Sequence, residues 1–350
     1  MAVIVLFGGA SNERHVSVAS GQSIARALGN PLCWYWAPDG RVYDVSVADL
    51  TSHQRPFEID FDPKRPAIFP DLEQALDTLP VEDPVFVLAL HGGAGENGTV
   101  QRMMEKRGIP FTGSGSRASA EAFDKGRTKQ VLMGKVRMAE SRTVGEADEE
   151  TIRSTVEAML ERYPKIVLKP VADGSSRGLY FLERDGDIDG VIRSVAKLRT
   201  PYIIEQFISG RELTCGVTDR DSGPLALPPV EIVMDRGQNF DYEGKYLGKG
   251  TKELCPAPIP DAMRDEAQQI AVAAHKALGC EGYSRSDLIG ADDGVYFLEI
   301  NTLPGLTVSS LVPQELKAAG IGFREFLETQ IEIGRRRVTA RQKTPAGSAR

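Results

Sequence analysis

The sequence predicts an α/β protein that opens with a parallel sheet. The apolar run 3–7 is followed by the glycines 8–9 and then by a segment, 16–28, whose apolar residues recur at helical spacing. A second apolar run, 85–90, leads into the glycine loop 91–98. Open α/β sheets bind ligands at the carboxyl ends of their strands, where glycines let the backbone approach a ligand. We therefore expect a ligand crevice at this edge of the first sheet.

Composition limits the classes of protein to which the chain can belong. Its net charge of −7 argues against a nucleic-acid partner, because such binding is dominated by lysine and arginine contacts. The longest apolar run, 85–90, falls far short of the roughly 20 residues that a membrane span needs. The four cysteines contain no CxxC pair and the four histidines lack metal-ligand spacing, so neither a disulfide framework nor a zinc site is indicated. We expect a soluble, cytoplasmic protein.

The order of patterns predicts three domains and a tail. The second domain begins with a long helical segment, 118–136, and the third contains a strand at 225–233 and a last helix near 323–333. The chain end is rich in Arg, Lys, Pro, Ser and Gly and has little to bury, which is typical of disorder. The predicted units are residues 1–113, 114–209 and 210–334, followed by a basic disordered tail, 335–350.

The most informative pattern is a predicted hairpin near the end of the third domain. Side chains two apart on a strand share a face, so Arg285 and Asp287 project together from the first arm and Glu299 and Asn301 from the second. If the arms pair, two carboxylates, an amide oxygen and a guanidinium converge, and such hard oxygens suit Mg²⁺ that also binds substrate phosphates. A salt-bridged solvent face is the alternative.

Two polar loops have the composition of segments that close over a phosphate. Lys169 ends an apolar strand and precedes the small-residue loop 173–178, so it can place a point charge on a phosphate while that loop closes. An ordinary exposed turn has the same composition. The glycine-rich stretch 235–251 is long for a structureless loop and predicts a lid that delivers Lys245 and Tyr246.

Two further carboxylates follow a strand of the second domain. Glu205 ends the apolar strand 202–205, and Glu212 comes shortly after it. A strand edge with flanking carboxylates can hydrogen-bond an adenine and a ribose. A purely structural role for these two residues is equally compatible with the sequence.

The motifs and their order resemble the D-alanine:D-alanine ligases of the ATP-grasp superfamily over about residues 3–333. The resemblance implies a three-domain ATP-grasp fold in which ATP lies between the second and third domains and the amino acids meet the first. The matching motifs are Gly-Gly-x-Ser-x-Glu-Arg-x-Val-Ser at 8–17, the His-Gly loop at 91 with Glu96, Phe-Thr-Gly-Ser-Gly at 111–115, Asp-Lys at 124–125, Val-Leu-Lys-Pro at 167–170, Gly-Ser-Ser at 174–176, Asp-Tyr-Glu-x-Lys-Tyr at 241–246, Ser-Arg-Ser-Asp at 284–287 and Glu-Ile-Asn-Thr-Leu-Pro-Gly at 299–305.

The resemblance also implies a reaction and a set of roles. Two D-alanines are joined to D-alanyl-D-alanine for peptidoglycan precursors, through an acyl-phosphate made with ATP, in an enzyme that is commonly a homodimer. The implied nucleotide and metal residues are Lys125, Lys169, Ser176 and Lys245 for the ATP phosphates, Glu205 and Ile208 for adenine, Glu212 for ribose, and Asp287, Glu299 and Asn301 for two Mg²⁺, with Mn²⁺ as a substitute. The implied amino-acid residues are Glu13 and His91 for the first substrate, Ser310 and Leu311 for the second, Arg285 and the Gly305 backbone for the transition states, and Ser175 and Tyr246 in a triad with Glu13.

Some positions depart from the family's usual pattern. Arg177 stands where a valine usually follows the serine loop, and His15 stands where an acidic residue is usual, which bears on loop closure and on the first substrate pocket. The nearest alternative is a sister ligase whose second substrate is D-lactate, D-serine or another amino acid. Tyr246 favours D-alanine over D-lactate, because lactate-forming relatives tend to lack it. A non-catalytic nucleotide-binding homologue is disfavoured by the complete predicted hairpin set.

Overall fold

The first sheet is mostly parallel and carries the predicted glycine loops. The computed structural model describes residues 2–146, 148–172, 178–234 and 251–343. The strand order is β3-β2-β1-β4, in which β1 pairs in parallel with β2 and β4, and β3 pairs antiparallel with β2. Its strands are β1 (Ala2–Gly8), β2 (Leu32–Trp36), β3 (Val42–Val45) and β4 (Pro84–Leu88), and its helices are α1 (Arg14–Leu28), α2 (Val47–Ser52), α3 (Leu72–Asp77) and α4 (Thr99–Lys106), with a 3₁₀ turn at Gly93–Gly95.

The central strand β1 explains the order of this sheet. Residues 4–7 of β1 are completely buried, as are most of the residues of β4 beside it. A strand that is buried on both faces needs a continuous apolar run rather than an alternating one, and both runs that the sequence shows have this form. Because β1 and β4 are parallel neighbours, the loops that follow them lie at the same edge of the sheet.

The predicted single helix 118–136 is wrong, because the chain forms two helices there. These are α5 (Ser116–Phe123) and α6 (Lys125–Leu132). Asp124 lies between them with φ −92° and ψ 103°, outside the helical region, and its side chain accepts a hydrogen bond from the Arg127 N–H. Aspartate is a favoured N-cap residue because it satisfies a backbone donor that the helix leaves open. The break turns α6 so that it starts beside the second sheet, where the Lys125 N–H donates to the Val171 carbonyl.

The second sheet is antiparallel, has the order β5-β8-β6-β7 and has two different faces. Ile166, Leu168 and Ile204 are completely buried against the helices α7 and α8 that cover one face, whereas Lys169 and Glu205 lie on the other. The alternation along the strands thus separates an apolar core from a charged surface. The elements are β5 (Ser141–Val144), α7 (Glu149–Arg162), β6 (Lys165–Pro170), β7 (Tyr180–Glu183), α8 (Ile188–Leu198) and β8 (Tyr202–Gln206).

The third sheet has six antiparallel strands and carries the predicted hairpin. Its order is β12-β11-β9-β13-β14, with β10 paired to β9. The predicted single strand 225–233 is wrong: β10 and β11 are separate, and the break contains Pro228 and Pro229, which lack the N–H that a ladder needs. The elements are β9 (Arg211–Arg220), β10 (Gly223–Ala226), β11 (Val230–Met234), β12 (Thr251–Leu254), α9 (Asp261–Ala277), β13 (Tyr283–Ala291), β14 (Gly294–Asn301) and α10 (Leu311–Ala318).

The last helix extends into the predicted tail, so the prediction of disorder from residue 335 is wrong up to Lys343. Helix α11 (Phe323–Lys343) continues because three successive arginines contact other parts of the chain. Arg335 pairs with Asp83 at 2.8 Å, and Arg336 pairs with Asp221 at 2.7 Å. The buried Arg337 donates hydrogen bonds to the Phe111 and Gly113 carbonyls, each at 2.7 Å. Basic composition alone indicates disorder, but here the charges are used in tertiary contacts. Across the described ranges, every helix is too short or too polar to cross a membrane.

Candidate active site

The predicted hairpin is confirmed, and its register brings the four polar side chains together. Strands β13 and β14 pair so that Arg285 lies opposite Asn301 and Asp287 lies opposite Glu299. Directly opposed residues of an antiparallel pair project from the same face. All four side chains are half-buried, whereas the intervening Ser286 and Ile300 are buried on the other face. The hairpin thus has one polar, half-buried face, and its opposite face is buried in the protein.

Arg285 and Asp287 form a bidentate ion pair on this face. The Arg285 Nε and Nη2 atoms donate to the two carboxylate oxygens of Asp287, each at 2.9 Å. Thr214, on the neighbouring strand β9, donates its hydroxyl to the same carboxylate at 2.9 Å. Two parallel charge-assisted hydrogen bonds fix the plane of both groups. The guanidinium is therefore held in one orientation before any ligand binds.

Glu299 and Asn301 lie at the start of the loop that follows β14. The Lys125 ammonium, at the start of α6, is 3.5 Å from a Glu299 carboxylate oxygen. The Asn301 side-chain oxygen accepts a hydrogen bond from the Leu303 N–H at 2.8 Å, which fixes the turn toward Gly305. Two carboxylates and an amide oxygen are therefore close to each other, and a lysine from α6 approaches one of them.

The second sheet contributes a buried cluster of three charges. The Glu205 carboxylate lies 2.7 Å from the Lys169 ammonium and 2.5 Å from that of Lys129. Only 3% of Glu205 and 6% of Lys129 are exposed. Burial alone would raise the pKa of Glu205, but the two ammonium groups outweigh it and the pKa is lowered. Glu205 therefore carries its charge inside the protein.

The two lysines of this cluster differ in their electrostatic environment. Burial opposes the charge of Lys169, but Glu205, Glu299 and Asp287 outweigh burial, so the pKa of Lys169 is raised. Burial lowers the pKa of Lys129, and Glu205 offsets that effect only in part. The negative charges of the hairpin thus stabilise the charged form of Lys169, together with Glu205, which pairs with it directly. A phosphate bound beside Lys169 would meet its ammonium.

The other residues with predicted adenine and ribose contacts follow β8 along the chain. Ile208 follows β8 and is half-buried, and Glu212 is a half-buried residue of β9, opposite Ile289 of β13. The Glu205 carboxylate is occupied by two lysines, which sequence analysis did not foresee. Its contact with adenine stays a prediction, as do those of Ile208 and Glu212.

The glycine loops of the first domain form a connected polar group. The Ser11 hydroxyl accepts from the Glu13 N–H at 3.0 Å and donates to the His91 carbonyl at 2.5 Å. The buried His91 ring contacts the Ser20 hydroxyl at 3.0 Å. Ser20 also accepts a hydrogen bond from the Leu306 N–H at 3.3 Å. The predicted first-substrate residue His91 is therefore joined through Ser20 to the segment that follows Gly305.

Gly305, Ser310 and Leu311 lie at the start of helix α10. Ser310 is its N-cap residue, and its hydroxyl accepts a hydrogen bond from the Thr307 N–H at 3.1 Å. A Cβ on Gly305 would lie 2.7 Å from this hydroxyl, so a side chain at position 305 would displace Ser310. Leu311 is 7% exposed and begins the helix. The hydroxyl of Ser310, one of the two predicted second-substrate residues, thus lies close to the backbone of Gly305.

Two substitutions relative to the family pattern can be located. His15 contacts Asp60 at 2.8 Å, and Arg14 pairs with the same carboxylate at 2.7 Å. His15 therefore contacts the loop 53–70, at the position where the family usually has an acidic side chain. Arg177 lies outside the described residues. So do the predicted site residues Ser175, Ser176, Lys245 and Tyr246, together with nearly all of the predicted lid.

Sequence analysis missed four residues that the structure places at the site. Thr214 and Ser20 contact predicted residues, and Glu315 is a completely buried acid on α10 whose carboxyl accepts from the Gly216 N–H at 2.8 Å. Of these four residues, Lys129 is the one that the sequence pattern could have indicated. It follows Lys125 by four residues in a helical segment, so the two share a helix face.

Three sheets, with clustered lysines and carboxylates between the second and the third, define an ATP-grasp protein. The family models described as D-ala D-ala ligase N-terminus and D-ala D-ala ligase C-terminus match residues 2–114 and 133–332. The D-alanine–D-alanine ligase of Desulforudis audaxviator is 36% identical over 335 residues, which cover 95% of this chain and 98% of the relative. The chain belongs to the D-alanine–D-alanine ligase family.

Solved structures agree with this fold. The VanG D-Ala:D-Ser ligase of Enterococcus faecalis is 28% identical with a TM-score of 0.78, covering 95% of this chain and 99% of that one. The D-alanine–D-alanine ligase of Bacillus anthracis complexed with ATP is 24% identical with a TM-score of 0.71, covering 97% and 99% of the two chains. The predicted ATP-grasp fold class is confirmed.

Proposed function

We propose that the protein joins two D-alanines to D-alanyl-D-alanine, using ATP and an acyl-phosphate intermediate. The observation that carries this proposal is the hairpin register, which places Arg285, Asp287, Glu299 and Asn301 on one face, with the Lys125 ammonium 3.5 Å from Glu299. Membership in the D-alanine–D-alanine ligase family supports the substrate. The individual roles of the residues are part of the proposal.

The arrangement suits the activation of a carboxylate. A carboxylate is a poor electrophile, so the γ-phosphoryl group of ATP is transferred to it first, and negative charge then spreads over the transferred oxygens. Lys125 and Lys169 would bind the phosphates, and Arg285 would stabilise the charge that develops at the reacting groups. Because Asp287 already orients the guanidinium, little reorganisation is needed at that moment.

A magnesium site fits the residues of the hairpin. Among the described residues there is no group of three or more His, Cys, Asp or Glu side chains that could hold a metal alone. Mg²⁺ does not need one, because it is commonly bound by one or two carboxylates together with substrate phosphates and water. Asp287, Glu299 and Asn301 supply such hard oxygens, and Mg²⁺ bound there would offset the charge of the triphosphate. The proposal includes two ions, as the family resemblance implies.

The amino acids would meet where the first and third domains adjoin. Glu13 would receive the first substrate's ammonium group and His91 would lie near its carboxylate, while Ser310 and Leu311 would hold the second substrate's carboxylate. The shared hydrogen bonding of Ser20 to His91 and Leu306 supports this placement, because it joins the two halves of the pocket. The amine of the second substrate would then attack the acyl-phosphate.

A second candidate is a ligase that places D-serine in the second position. It is favoured by the similarity to the D-Ala:D-Ser ligase, which covers nearly the whole chain. The two candidates share the first half-reaction and differ only in the acceptor amine.

The test is phosphate release from ATP with a panel of D- and L-amino acids and D-hydroxy acids, and mass spectrometry of each product. We expect release to depend on D-alanine and the product to be D-alanyl-D-alanine. A mixed product with D-serine at equal concentration would favour the second candidate. ATP hydrolysis that is indifferent to every amino acid would refute both. Light scattering of the same sample tests the predicted homodimer.

A further inference from the structure

Helix α6 carries two lysines that reach acids of two different sheets. Lys125 and Lys129 are four residues apart and therefore lie on the same face of the helix. Lys125 approaches Glu299 on β14 of the third sheet, and Lys129 pairs with Glu205 on β8 of the second. One face of a short helix thus contacts both walls of the proposed nucleotide crevice.

The cluster around Glu205 has more positive than negative charge. One carboxylate is shared between two ammonium groups, and both distances are those of direct ion pairs. Buried charges are usually balanced, because an uncompensated charge is costly away from water. A buried cluster with one cation in excess is therefore suited to an additional anion. The Lys169 side chain is 14% exposed, against 7% for that of Lys129, so Lys169 is the member of the cluster that an anion can reach.

We propose that Lys129 is a positioning residue for the nucleotide: by sharing the Glu205 carboxylate, it leaves the Lys169 ammonium only partly neutralised and able to bind a phosphate of ATP. The proposal deepens the proposed function and rests on its assignment of Lys169 to ATP. Lys129 itself acts through Glu205 and does not contact the substrate.

The consequence of removing Lys129 follows from the charges. Glu205 would then pair with Lys169 alone. An approaching phosphate would have to compete with the Glu205 carboxylate for the Lys169 ammonium. Removing Glu205 as well would restore the original excess of one positive charge and release Lys169. A structural role for Lys129 predicts the opposite order, because the second substitution would remove a further buried contact.

The experiment compares Lys129→Met with the double variant Lys129→Met/Glu205→Gln. Binding of ATP with MgCl₂ is measured by isothermal titration without any amino acid. We expect Lys129→Met to raise the dissociation constant about tenfold and Lys129→Arg to bind as wild type does. The double variant should bind ATP more tightly than Lys129→Met, and less tightly than wild type because Gln also replaces the predicted adenine contact of Glu205. Lys197→Met, an exposed lysine of α8 in the same domain, is the matched control and should leave binding unchanged.

Steady-state kinetics then separate positioning from catalysis. The Lys129→Met variant should show a raised KM for ATP with a smaller change in kcat, and the KM for D-alanine should stay the same. An unchanged dissociation constant in Lys129→Met overturns the proposal, and so does a double variant that binds as weakly as the single one or a wild type that binds no ATP. A wild type that binds ATP but forms no dipeptide refutes the proposed function alone.

Should Lys129→Met fail to fold, the comparison of Lys129→Gln with Lys129→Gln/Glu205→Gln replaces it. Gln keeps the length of the side chain and a hydrogen-bond donor while it removes the charge. Thermal unfolding of each variant shows whether binding and stability change together. Weaker binding that follows the loss of stability through the whole series overturns the positioning role.

Discussion

Glu315 is expected to make the protein less stable as the pH rises through the neutral range. Its side chain is completely buried on α10, one carboxyl oxygen accepts from the Gly216 N–H, and the other has no hydrogen-bond partner among the described residues. Burial raises the pKa of Glu315 to about 8, and the nearby Arg285 opposes that rise only in part. In the unfolded chain the pKa is near the ordinary value of about 4.3.

The sign follows from proton binding. Between the unfolded and the folded pKa, the folded protein holds a proton that the unfolded chain has lost, so stability falls as pH rises. The slope is about 1.4 kcal/mol for each pH unit from roughly pH 5 to 8, and stability stays constant above that range. Glu315→Gln has the same shape but no ionisation, so the variant should lack this slope.

The assay is urea unfolding of both proteins at several pH values, followed by circular dichroism in a magnesium-free buffer. The stability of Glu315→Gln relative to wild type should increase with pH by about that slope, whatever constant offset the amide introduces. Gln is chosen because it has the same size as Glu. The carboxyl group is closely packed against β9, since a Cβ on Gly216 would lie 2.5 Å from its unbonded oxygen. A difference that is independent of pH would refute the reasoning, because Glu315 would then ionise as it does in water.

Three further predictions concern activity. Glu299→Gln should reduce D-alanine-dependent phosphate release to less than about a tenth of wild type, roughly 1.4 kcal/mol of barrier, because it removes the charge of a proposed magnesium ligand; a higher residual rate contradicts that role. Tyr246→Phe should lower the dipeptide yield or admit D-lactate in product analysis by mass spectrometry, and an unchanged product profile would discount the predicted triad. Ser20→Ala should raise the KM for D-alanine and leave ATP binding unchanged, because Ser20 joins His91 to Leu306; weaker ATP binding in that variant would count against the division of the two pockets.

The hairpin could be predicted because its signals are local. Arg285 and Asp287 are two residues apart on the first arm, as are Glu299 and Asn301 on the second, and the turn that joins the arms ends in Gly294 with φ +137°. The faces of two such strands follow from their periodicity once they pair. The polar face that contains Arg285 and Glu299 therefore needed no knowledge of the rest of the fold.

The helix break and the last helix could not be predicted from local pattern. Asp124 interrupts a segment whose periodicity continues on both sides, and its capping role depends on the turn of the chain beside Val171. Helix α11 continues past Ile333 because Arg335 and Arg337 find partners more than a hundred residues away along the chain. Composition predicts the solvation of such a segment, whereas its order is decided by contacts between distant segments.

The charges of the crevice suit the proposed binding of ATP together with a divalent cation. Four cations, those of Lys125, Lys129, Lys169 and Arg285, are interleaved with the carboxylates of Glu205, Asp287 and Glu299, which leaves one positive charge in excess. A triphosphate carries several negative charges, so this excess alone does not balance it, and two of the carboxylates would repel it. A divalent cation bound to those same carboxylates would turn the repulsion into attraction. The affinity for ATP should therefore depend on magnesium, whereas the affinity of Glu13 and His91 for D-alanine should not.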